Sequence, residues 1–562
     1  MQKEYIVTLK NFEDLDNFYE DMETPGGNLY IPERKVDCHL RRPISRNTHY
    51  LLTDEEADVV RQDPRVLDVQ LTPEERGLTP VLMWTQTGDF AKDVYSTFTS
   101  NDKNWGLWRC ITGEEPTDNW GEDGDYNTIS DTIRTSSSGR HVDVVIVDEH
   151  INQNHPEFAV NPDGSGGSRA NLIDWFQTYS SYLGIVTGLN YTYDFTGSHG
   201  THVAGTAAGN TQGWARDANI YNISPFYTQS PSLTSWTLLL FDYIRAFHKN
   251  KPINPVTGRR NPTITNNSWG YSYNSTFNLS GISSVTFRGT TTGLSGLTTS
   301  QKRQILESNG VPVPYTNFVT RIPARQTSVD ADIVDAIADG VLVLAAAGNG
   351  YWQHSVPGDI DYDNRFIHNG VTYYHTRGST PADADGVVCV GAVDGLFLDV
   401  KADFSDFGPA IDIWAPGENI ISSIYNTSDD LGGVIVNDPR DSNYKLAATG
   451  GTSMATPQVT GVVACLLEQQ PDMTQEEVME YLTVGNGSKS GQLHLQEPSQ
   501  EWTNYGQLSP TEFPYFTIGS TDNNRYLYYW PKRRYEGHIH PSTNHKSRPT
   551  TGQVFPRIRG KR

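Results

Sequence analysis

Short apolar runs separated by polar, turn-rich stretches extend over most of the chain. The run at 142–147 is β-branched and apolar at every position except Asp143, which is typical of a strand buried on both faces of a parallel sheet. The sequence predicts further strands at 263–267, 341–345 and 387–391, and helices at 235–248 and 331–338. This alternation predicts an α/β fold built on a doubly wound, mostly parallel sheet.

The first 80 residues carry a different pattern. Alternating residues predict a strand at 4–10, a second strand is predicted at 48–52, and the segment 63–71 is predicted to turn and then extend as a third strand. Two helices are predicted to begin after Asn11 and Thr53, because such residues cap helix N-termini. This order of elements predicts a small α+β domain at residues 1–80, with its helices on one side of a sheet.

Several stretches between these elements lack sustained periodicity. Pro and Gly interrupt the pattern from 72 to 100, so we predict a linker, placed at 81–100, before a large domain at 101–495. The segments 271–325 and 350–380, rich in Tyr, Ser, Thr, Gly and Asn, are predicted to be long surface insertions. The acidic segment 114–125 is predicted to be a solvated loop, with Ca²⁺ binding through its carboxylates as the alternative.

One hydroxyl stands between a glycine turn and an apolar helix. Gly450 and Gly451 allow positive φ, and the apolar residues that follow Ser453 recur at helical spacing. Ser453 is therefore predicted in the first turn of a buried helix, where free backbone N–H groups favour an oxyanion. A serine hydroxyl is a nucleophile only when a base removes its proton.

A histidine and a carboxylate stand at the ends of other predicted elements. His199 begins a helix of small residues, and Asp148 follows the strand at 142–147, at the sheet edge where catalytic groups gather. His202 lies one turn after His199, and we predict a structural role for it. The alternative, a His-x-x-His metal pair, lacks the i, i+4 spacing and the Glu of the helical zinc motif.

These residues have the types that nucleophilic acyl transfer requires. His199 would take the Ser453 proton and later deliver it to the leaving group, while Asp148 would orient the imidazole and stabilise its cation. The amide of Asn349, at the end of a buried strand, would donate to the oxyanion of the tetrahedral intermediate.

The sequence resembles the subtilisin-like serine proteases, or subtilases, from about residue 101 to 490. The resemblance rests on the Asp, His, Ser order and on motif blocks at 145–148, 199–206, 345–349, 404–408, 415–417 and 451–457. It implies a serine endopeptidase that needs no cofactor for its chemistry, with Ca²⁺ as a possible stabilising ion and proteins or peptides as substrates. It also implies that Ser268, Trp269 and Gly270 pair with extended substrate, with Trp269 over the specificity pocket; a buried aromatic is the competing role for Trp269.

By the same resemblance, residues 1–80 look like an inhibitory, folding-assisting propeptide. That domain would pack on the catalytic domain, lay its C-terminal end through the active site, and be released by self-cleavage within residues 70–101. Glu149 and His150 depart from the usual Asp-Ser/Thr-Gly. An acid after the aspartate also occurs in kexin-like members, whereas His150 in place of glycine puts the local turn in question.

Composition limits the other function classes. The formal net charge of −23 argues against a general nucleic-acid or anionic-membrane surface, and no apolar run is long enough to span a bilayer. Four widely spaced cysteines argue against a disulfide framework or a Cys metal site. The N-terminus lacks a secretory signal pattern, so we expect an intracellular or particle-associated protein rather than one exported by the standard route.

The last residues, 496–562, form an aromatic and then basic extension. Its basic residues are Lys532, Arg533, Arg534, Lys546, Arg548, Arg557, Arg559, Lys561 and Arg562. We expect a solvated extension or one lying along the acidic domain; the alternative is contact with nucleic acid or another partner.

Two rival functions remain to be weighed against a serine endopeptidase. One is a catalytically silent structural or binding module on a protease fold, which the presence of all four catalytic groups disfavours. The other is a lipase-like α/β-hydrolase, which requires Gly-x-Ser-x-Gly and the order Ser, Asp, His. The sequence around Ser453 and the chain order of the three residues satisfy neither requirement.

Overall fold

A computed structural model provides the fold of the chain. The residues it describes are 2–32, 36, 38–82, 106–107, 110, 137–161, 163–194, 197–273, 276–313, 317–394, 400–425, 435–438, 440–483 and 527. The acidic segment 114–125 and, apart from Leu527, the extension at 496–562 lie outside the described residues.

The N-terminal residues form a small α+β unit with its own core. Its strands are β1 (Lys3–Leu9), β2 (Leu40–Arg41), β3 (Asn47–Leu52) and β4 (Val66–Leu71), and its helices are α1 (Leu15–Glu23) and α2 (Asp54–Arg61). The four strands pair in the order β2-β3-β1-β4, and every pairing is antiparallel. The sheet predicted from alternation is therefore present.

The two predicted helix caps of this unit behave differently. Thr53 accepts a hydrogen bond from the backbone N–H of Glu56 and the Glu56 side chain reciprocates, which is a capping box. Asn11 makes no such bond, because a short 3₁₀ turn, Phe12–Asp14, precedes α1. The prediction at Thr53 is confirmed, and the prediction that Asn11 caps an α-helix is wrong.

The remaining strands, in chain order, are β5 (Leu78–Leu82), β6 (Asp143–Val147), β7 (Asn219–Ile223), β8 (Thr263–Asn267), β9 (Trp269–Tyr273), β10 (Phe277–Asn278), β11 (Ile282–Phe287), β12 (Thr290–Gly293), β13 (Phe318–Val319), β14 (Leu342–Ala346), β15 (Arg365–His368), β16 (Val371–Tyr374), β17 (Val388–Asp394), β18 (Val400–Lys401), β19 (Ile413–Pro416), β20 (Ile420–Ile424), β21 (Ile435–Asn437) and β22 (Lys445–Thr449). The remaining α-helices are α3 (Trp175–Tyr179), α4 (Ser198–Ala208), α5 (Leu240–Asn250), α6 (Thr299–Glu307), α7 (Thr327–Ala338), α8 (Thr452–Gln469) and α9 (Gln475–Thr483).

A seven-stranded, mostly parallel sheet forms the centre of the large domain. Its order is β18-β17-β14-β8-β6-β7, with β19 paired to β17, and only the β17–β18 pairing is antiparallel. The strands β6, β8 and β14 are buried at every residue. In β6 and β14 every residue except Asp143 is apolar or β-branched, as burial on both faces favours. The predicted α/β class is confirmed.

Helices cover this sheet and connect it to the N-terminal unit. Helices α4 and α8 pack against each other and α8 lies on β8, β14, β17 and β19, while α7 contacts α5 and β14. The N-terminal strands β1, β3 and β4 also contact α7. At this interface Arg42 is buried between Asp242 and Asp332, with 2.9 Å from its Nε to Asp242 Oδ2.

Two stretches without sustained sequence periodicity contain regular structure. Residues 78–82, at the boundary between the predicted small domain and the predicted linker, form β5, because β9 provides hydrogen-bonding partners that the local sequence does not reveal. Much of 271–325 and 350–380 is regular structure: β11, β12, β15 and β16 form an antiparallel sheet with its own apolar core. Short strands bounded by polar residues give too little periodicity to be recognised from sequence alone.

Candidate active site

The central sheet places three of the predicted residues at the carboxyl ends of parallel strands, an edge where α/β sheets bind their ligands. Asp148 directly follows β6, Ser268 directly follows β8, and Asn349 follows β14. Strands β6, β8 and β14 are neighbours in the sheet. Residues 81 to 201 positions apart in sequence therefore meet along one edge.

Asp148 and His199 are in direct contact. The Nδ1–H of His199 donates to Asp148 Oδ1 over 2.7 Å, and both side chains are buried. Asp148 Oδ1 also accepts the backbone N–H of Glu149 at 2.7 Å. The bond fixes the imidazole tautomer and leaves Nε2 as the nitrogen that can accept a proton.

The two residues after Asp148 have structural roles. The Glu149 carboxylate accepts the backbone N–H of His199 at 3.2 Å, so it satisfies a donor in the first turn of α4, whose N-cap Gly197 has no side chain. His150 packs among Tyr191, Tyr193 and Tyr227, and its burial lowers the pKa of the imidazole. In the described residues, positive φ occurs at six non-glycine positions, and His150 is not one of them.

His202 is occupied by backbone partners. Its Nε2–H contacts the carbonyl oxygens of Ile420 and Ala447, at 3.0 and 3.1 Å. Burial lowers the pKa of His202 to about 3, so the ring is neutral and ties α4 to β20 and β22. The predicted structural role fits this arrangement, and the His-x-x-His metal pair does not.

Ser453 is the second residue of α8, after Gly451, which has φ of 151°. The Ser453 hydroxyl donates to the backbone oxygen of Ser268 at 3.1 Å, and the Ser268 hydroxyl donates back to the backbone oxygen of Ser453 at 3.0 Å. The second bond has a local cause: Pro457, four residues on, has no N–H to give to the Ser453 carbonyl. Ser268 supplies the missing donor.

The side chain of Asn349 is oriented by Thr452. Asn349 Oδ1 accepts both the backbone N–H and the hydroxyl of Thr452, each at 2.9 Å. Its Nδ2 is buried without a hydrogen-bond acceptor in the described part of the chain. Because the oxygen is already used, the amide N–H groups are the free end, which is the end that an oxyanion needs.

Asp406 holds the loop that carries Asn349. Its Oδ1 accepts the backbone N–H groups of Gly350 and Trp352, each at 2.8 Å, and its own N–H donates to the oxygen of Gly348 at 2.8 Å. A side chain at Gly348 would contact the Asp406 carboxylate, since a Cβ there would lie 2.2 Å from Oδ2. The loop is thus fixed on both sides of Asn349.

The strand β9 follows Ser268 and is paired along its length. β5 lies antiparallel to it, with Leu82 opposite Trp269 and Val81 opposite Gly270. Pro80 lies opposite Tyr271, whose N–H and oxygen bond instead to Thr380 and Ala324. A proline is therefore accommodated where no ladder donor is needed. Trp269 is fully buried and packs edge-on against Tyr271, with ring centroids 5.7 Å apart.

The sequence did not single out Thr452, Glu149 or Asp406 as residues that orient the site. Thr452 and Asp406 lie within the motif blocks at 451–457 and 404–408. Their polar side chains beside glycine turns were the sequence feature that could have indicated this role. The partners of Asp406 lie 54 to 58 residues away, so only the folded chain identifies them.

Comparison with known proteins defines the family. The sequence model of the Subtilase family matches residues 139–498, well over half of the chain. The chain belongs to the subtilase family. Its class is therefore that of the subtilisin-like serine endopeptidases.

Individual relatives agree with this assignment. The chain is 25% identical to an alkaline proteinase of Hapsidospora chrysogena, over 82% of each protein, and 24% identical to an extracellular serine proteinase of a Thermus species, over 76% of this chain and 67% of the relative. It is 30% identical to the subtilase-type proteinase RRT12 of Saccharomyces cerevisiae over 34% of this chain, and that match spans only 31% of the yeast protein.

In the part of the chain that the structure describes, none of the helices combines the length and the apolar character needed to cross a bilayer.

Proposed function

We propose that the chain is a self-processing subtilase zymogen that hydrolyses protein or peptide substrates through Ser453, His199 and Asp148. The observation that carries the proposal is the position of β5. This strand lies along β9 in the manner of a substrate and leads towards Ser268, whose backbone oxygen holds the Ser453 hydroxyl. The Asp148–His199 hydrogen bond supports the catalytic roles of these side chains.

The reaction would proceed through an acyl-enzyme. The Ser453 hydroxyl turns from the Ser268 oxygen to His199 Nε2, which takes its proton as Oγ attacks the scissile carbonyl carbon. The resulting oxyanion accepts a hydrogen bond from Asn349 Nδ2, and the imidazolium is stabilised by Asp148. When the intermediate collapses, His199 gives the proton to the leaving amine, and a water molecule then releases the acyl group by the same steps in reverse. This serine-based chemistry requires no cofactor.

The N-terminal unit would act as an intramolecular inhibitor. Its contacts with the large domain include the buried Arg42 ion pairs, and residues Asp68 and Gln70 of β4 accept hydrogen bonds from Thr327 at 3.0 and 3.1 Å. These contacts support a stable complex that keeps β5 on β9 and excludes other substrates. In the mature enzyme, a substrate would take the place of β5. It would then bind along Ser268, Trp269 and Gly270.

The register of β5 on β9 narrows the range of positions at which self-cleavage would occur. Leu82 is opposite Trp269 and Val81 is opposite Gly270. The pair Leu82–Trp269 lies one position before Ser268, whose backbone oxygen accepts a hydrogen bond from the Ser453 hydroxyl. We therefore propose that self-cleavage follows Met83, a residue outside the described part of the chain and within the broader range 70–101 expected from the sequence.

Active-site labelling tests the proposed chemistry. Purified mature protein should react with a biotinylated fluorophosphonate at one residue, Ser453, identified by peptide mass spectrometry, and should lose casein hydrolysis in proportion to labelling. The matched control is Ser423→Ala, a buried serine whose hydroxyl donates to the Thr201 oxygen. That variant should still be labelled at Ser453.

Absence of labelling in folded, processed protein would support the alternative of a catalytically silent binding module. Labelling at another serine would refute the role given to Ser453, but the protein would still be a serine hydrolase. The two failures are therefore distinguishable.

A further inference from the structure

Three potential metal ligands from separate segments meet in the interior of the large domain. His354 follows the loop of Asn349, Asp383 follows the antiparallel insertion, and Cys389 lies on β17. One ligand atom of each, a ring nitrogen, a carboxylate oxygen and Sγ, lies within 4.8 Å of the other two. The exposed fractions of these residues are 0%, 2% and 0%. We call these three residues the His-Asp-Cys cluster.

The orientation of His354 resembles that of a metal ligand. Its Nε2 lies 3.2 Å from Asp406 Oδ2 and hydrogen bonds with it. Its Nδ1 lies 2.9 Å from Asp383 Oδ2, and the two carboxylates beside the ring outweigh its burial and raise the pKa of the imidazole well above its usual value, so a metal ion would bind in place of the Nδ1 proton. A histidine that ligates a metal usually donates its second ring N–H to a carboxylate, which directs the lone pair of the other nitrogen to the ion.

The backbone around the other two residues is held in place. Asp383 Oδ2 accepts the N–H of Ser379 at 2.9 Å, and the N–H of Asp383 donates to the Ser379 oxygen at 2.8 Å. The N–H of Cys389 donates to Asp412 Oδ2 at 2.9 Å. Metal-ligand atoms on a backbone held in this way can bind an ion without the entropy cost of first ordering the chain.

We propose that the His-Asp-Cys cluster binds one divalent transition-metal ion, of which Zn²⁺ fits best. Imidazole nitrogen, carboxylate oxygen and thiolate together form a typical zinc donor set, whereas Ca²⁺ and Mg²⁺ prefer oxygen alone. Bond lengths of about 2.0–2.3 Å in a tetrahedral site separate ligand atoms by about 3.3–3.8 Å. The donors of the cluster need only small shifts to reach that spacing, and a water molecule would complete the coordination.

The ion would connect the cluster to the active site. Asp406 joins the two, because one of its oxygens accepts from His354 and the other accepts from the loop that follows Asn349. The ion would fix His354, His354 would fix Asp406, and Asp406 would hold the loop. The proposal goes beyond the proteolytic function and stands independently of it, since metal content can be measured on an inactive chain.

Metal analysis of the full-length Ser453→Ala chain tests the proposal without self-digestion. Protein produced with added zinc and purified in excess Ca²⁺ should contain about one zinc per chain by inductively coupled plasma mass spectrometry. The variants His354→Gln and Cys389→Ser should each lose most of it. Cys465→Ser is the matched control, since Cys465 is also fully buried but contacts the Trp214 oxygen instead, and it should keep its zinc.

Cobalt substitution covers the case in which a variant fails to fold. The Ser453→Ala chain loaded with Co²⁺ should show a thiolate-to-cobalt charge-transfer band in the near ultraviolet, because Cys389 is a ligand. A zinc-selective chelator should also lower the unfolding temperature of this chain. Less than about 0.1 zinc per chain after zinc loading, no charge-transfer band, or full zinc retention in folded His354→Gln would overturn the proposal and leave the cluster as an ion pair only.

Discussion

At the scale of single residues, the site depends on side chains whose second polar atom is already engaged. His199 uses Nδ1 for Asp148, and Asn349 uses its oxygen for Thr452. Each bond determines which atom is left for the proposed reaction: Nε2 in the first case and Nδ2 in the second. Residue type alone predicted these candidates, but the orientation of each side chain follows from neighbours that only the fold supplies.

Removing the Asn349 amide tests its role in charge stabilisation. We expect Asn349→Ala to lower kcat by about 10²–10³-fold with little change in KM, because the donor acts on the oxyanion and not on the bound substrate. Steady-state hydrolysis of a peptide substrate by mature enzyme measures both constants. Asn443→Ala, an exposed asparagine bonded to Asp441, is the control and should match the parent. A large rise in KM with unchanged kcat would show that Asn349 binds substrate instead.

At the scale of elements, buried and locally determined structure was predictable. The strands predicted at 263–267 and 341–345 correspond to β8 and β14 within one residue. β14 is apolar along its whole length, as strands buried on both faces usually are, whereas β8 ends on the buried polar residues Asn266 and Asn267. β5 was missed, since Gly77 and Pro80 disrupt its pattern and its stability comes from β9, whose paired residues are 187 to 195 positions away. A strand that is stabilised mainly by a partner far away in the sequence has little recognisable pattern of its own.

At the start of α8, a residue outside the helix supplies a hydrogen-bond donor that the helix lacks. Pro457 removes the helical donor for the Ser453 carbonyl, and the Ser268 hydroxyl replaces it. Ser268→Ala should therefore leave a buried carbonyl without a donor and lower the free energy of unfolding by about 1–3 kcal/mol. Urea denaturation of the inactive Ser453→Ala chain measures this change.

A double substitution separates this explanation from simple loss of packing. Adding Pro457→Ala restores the backbone N–H at the correct helical position, so it should recover the part of the lost stability that comes from the Ser453 carbonyl, but not the part that comes from Asn266 Nδ2, which donates to the Ser268 hydroxyl at 2.9 Å. If Pro457→Ala destabilises the two backgrounds equally, the carbonyl is not the cause and the interpretation is wrong.

At the scale of the whole molecule, the N-terminal unit and the large domain fit together through charge and strand pairing. Burial raises the pKa of Asp242 to about 6 although Arg42 opposes the shift. Loss of Arg42 would leave Asp242 and Asp332 as two neighbouring buried carboxylates without their cation. The sequence predicted both units and their order, but the buried charges at their interface could not be derived from it, because ion pairs between residues 200 to 290 positions apart have no local signal.

The N-terminus of the processed protein tests the central claim most directly: that β5 is presented to Ser453 as the molecule's own substrate. Intact-mass and N-terminal peptide analysis of purified wild-type chain should give a mature species beginning at Trp84, while full-length Ser453→Ala, purified alone, should remain uncut. A mature N-terminus far from residue 84, or processing of the Ser453→Ala chain in isolation, would contradict the account.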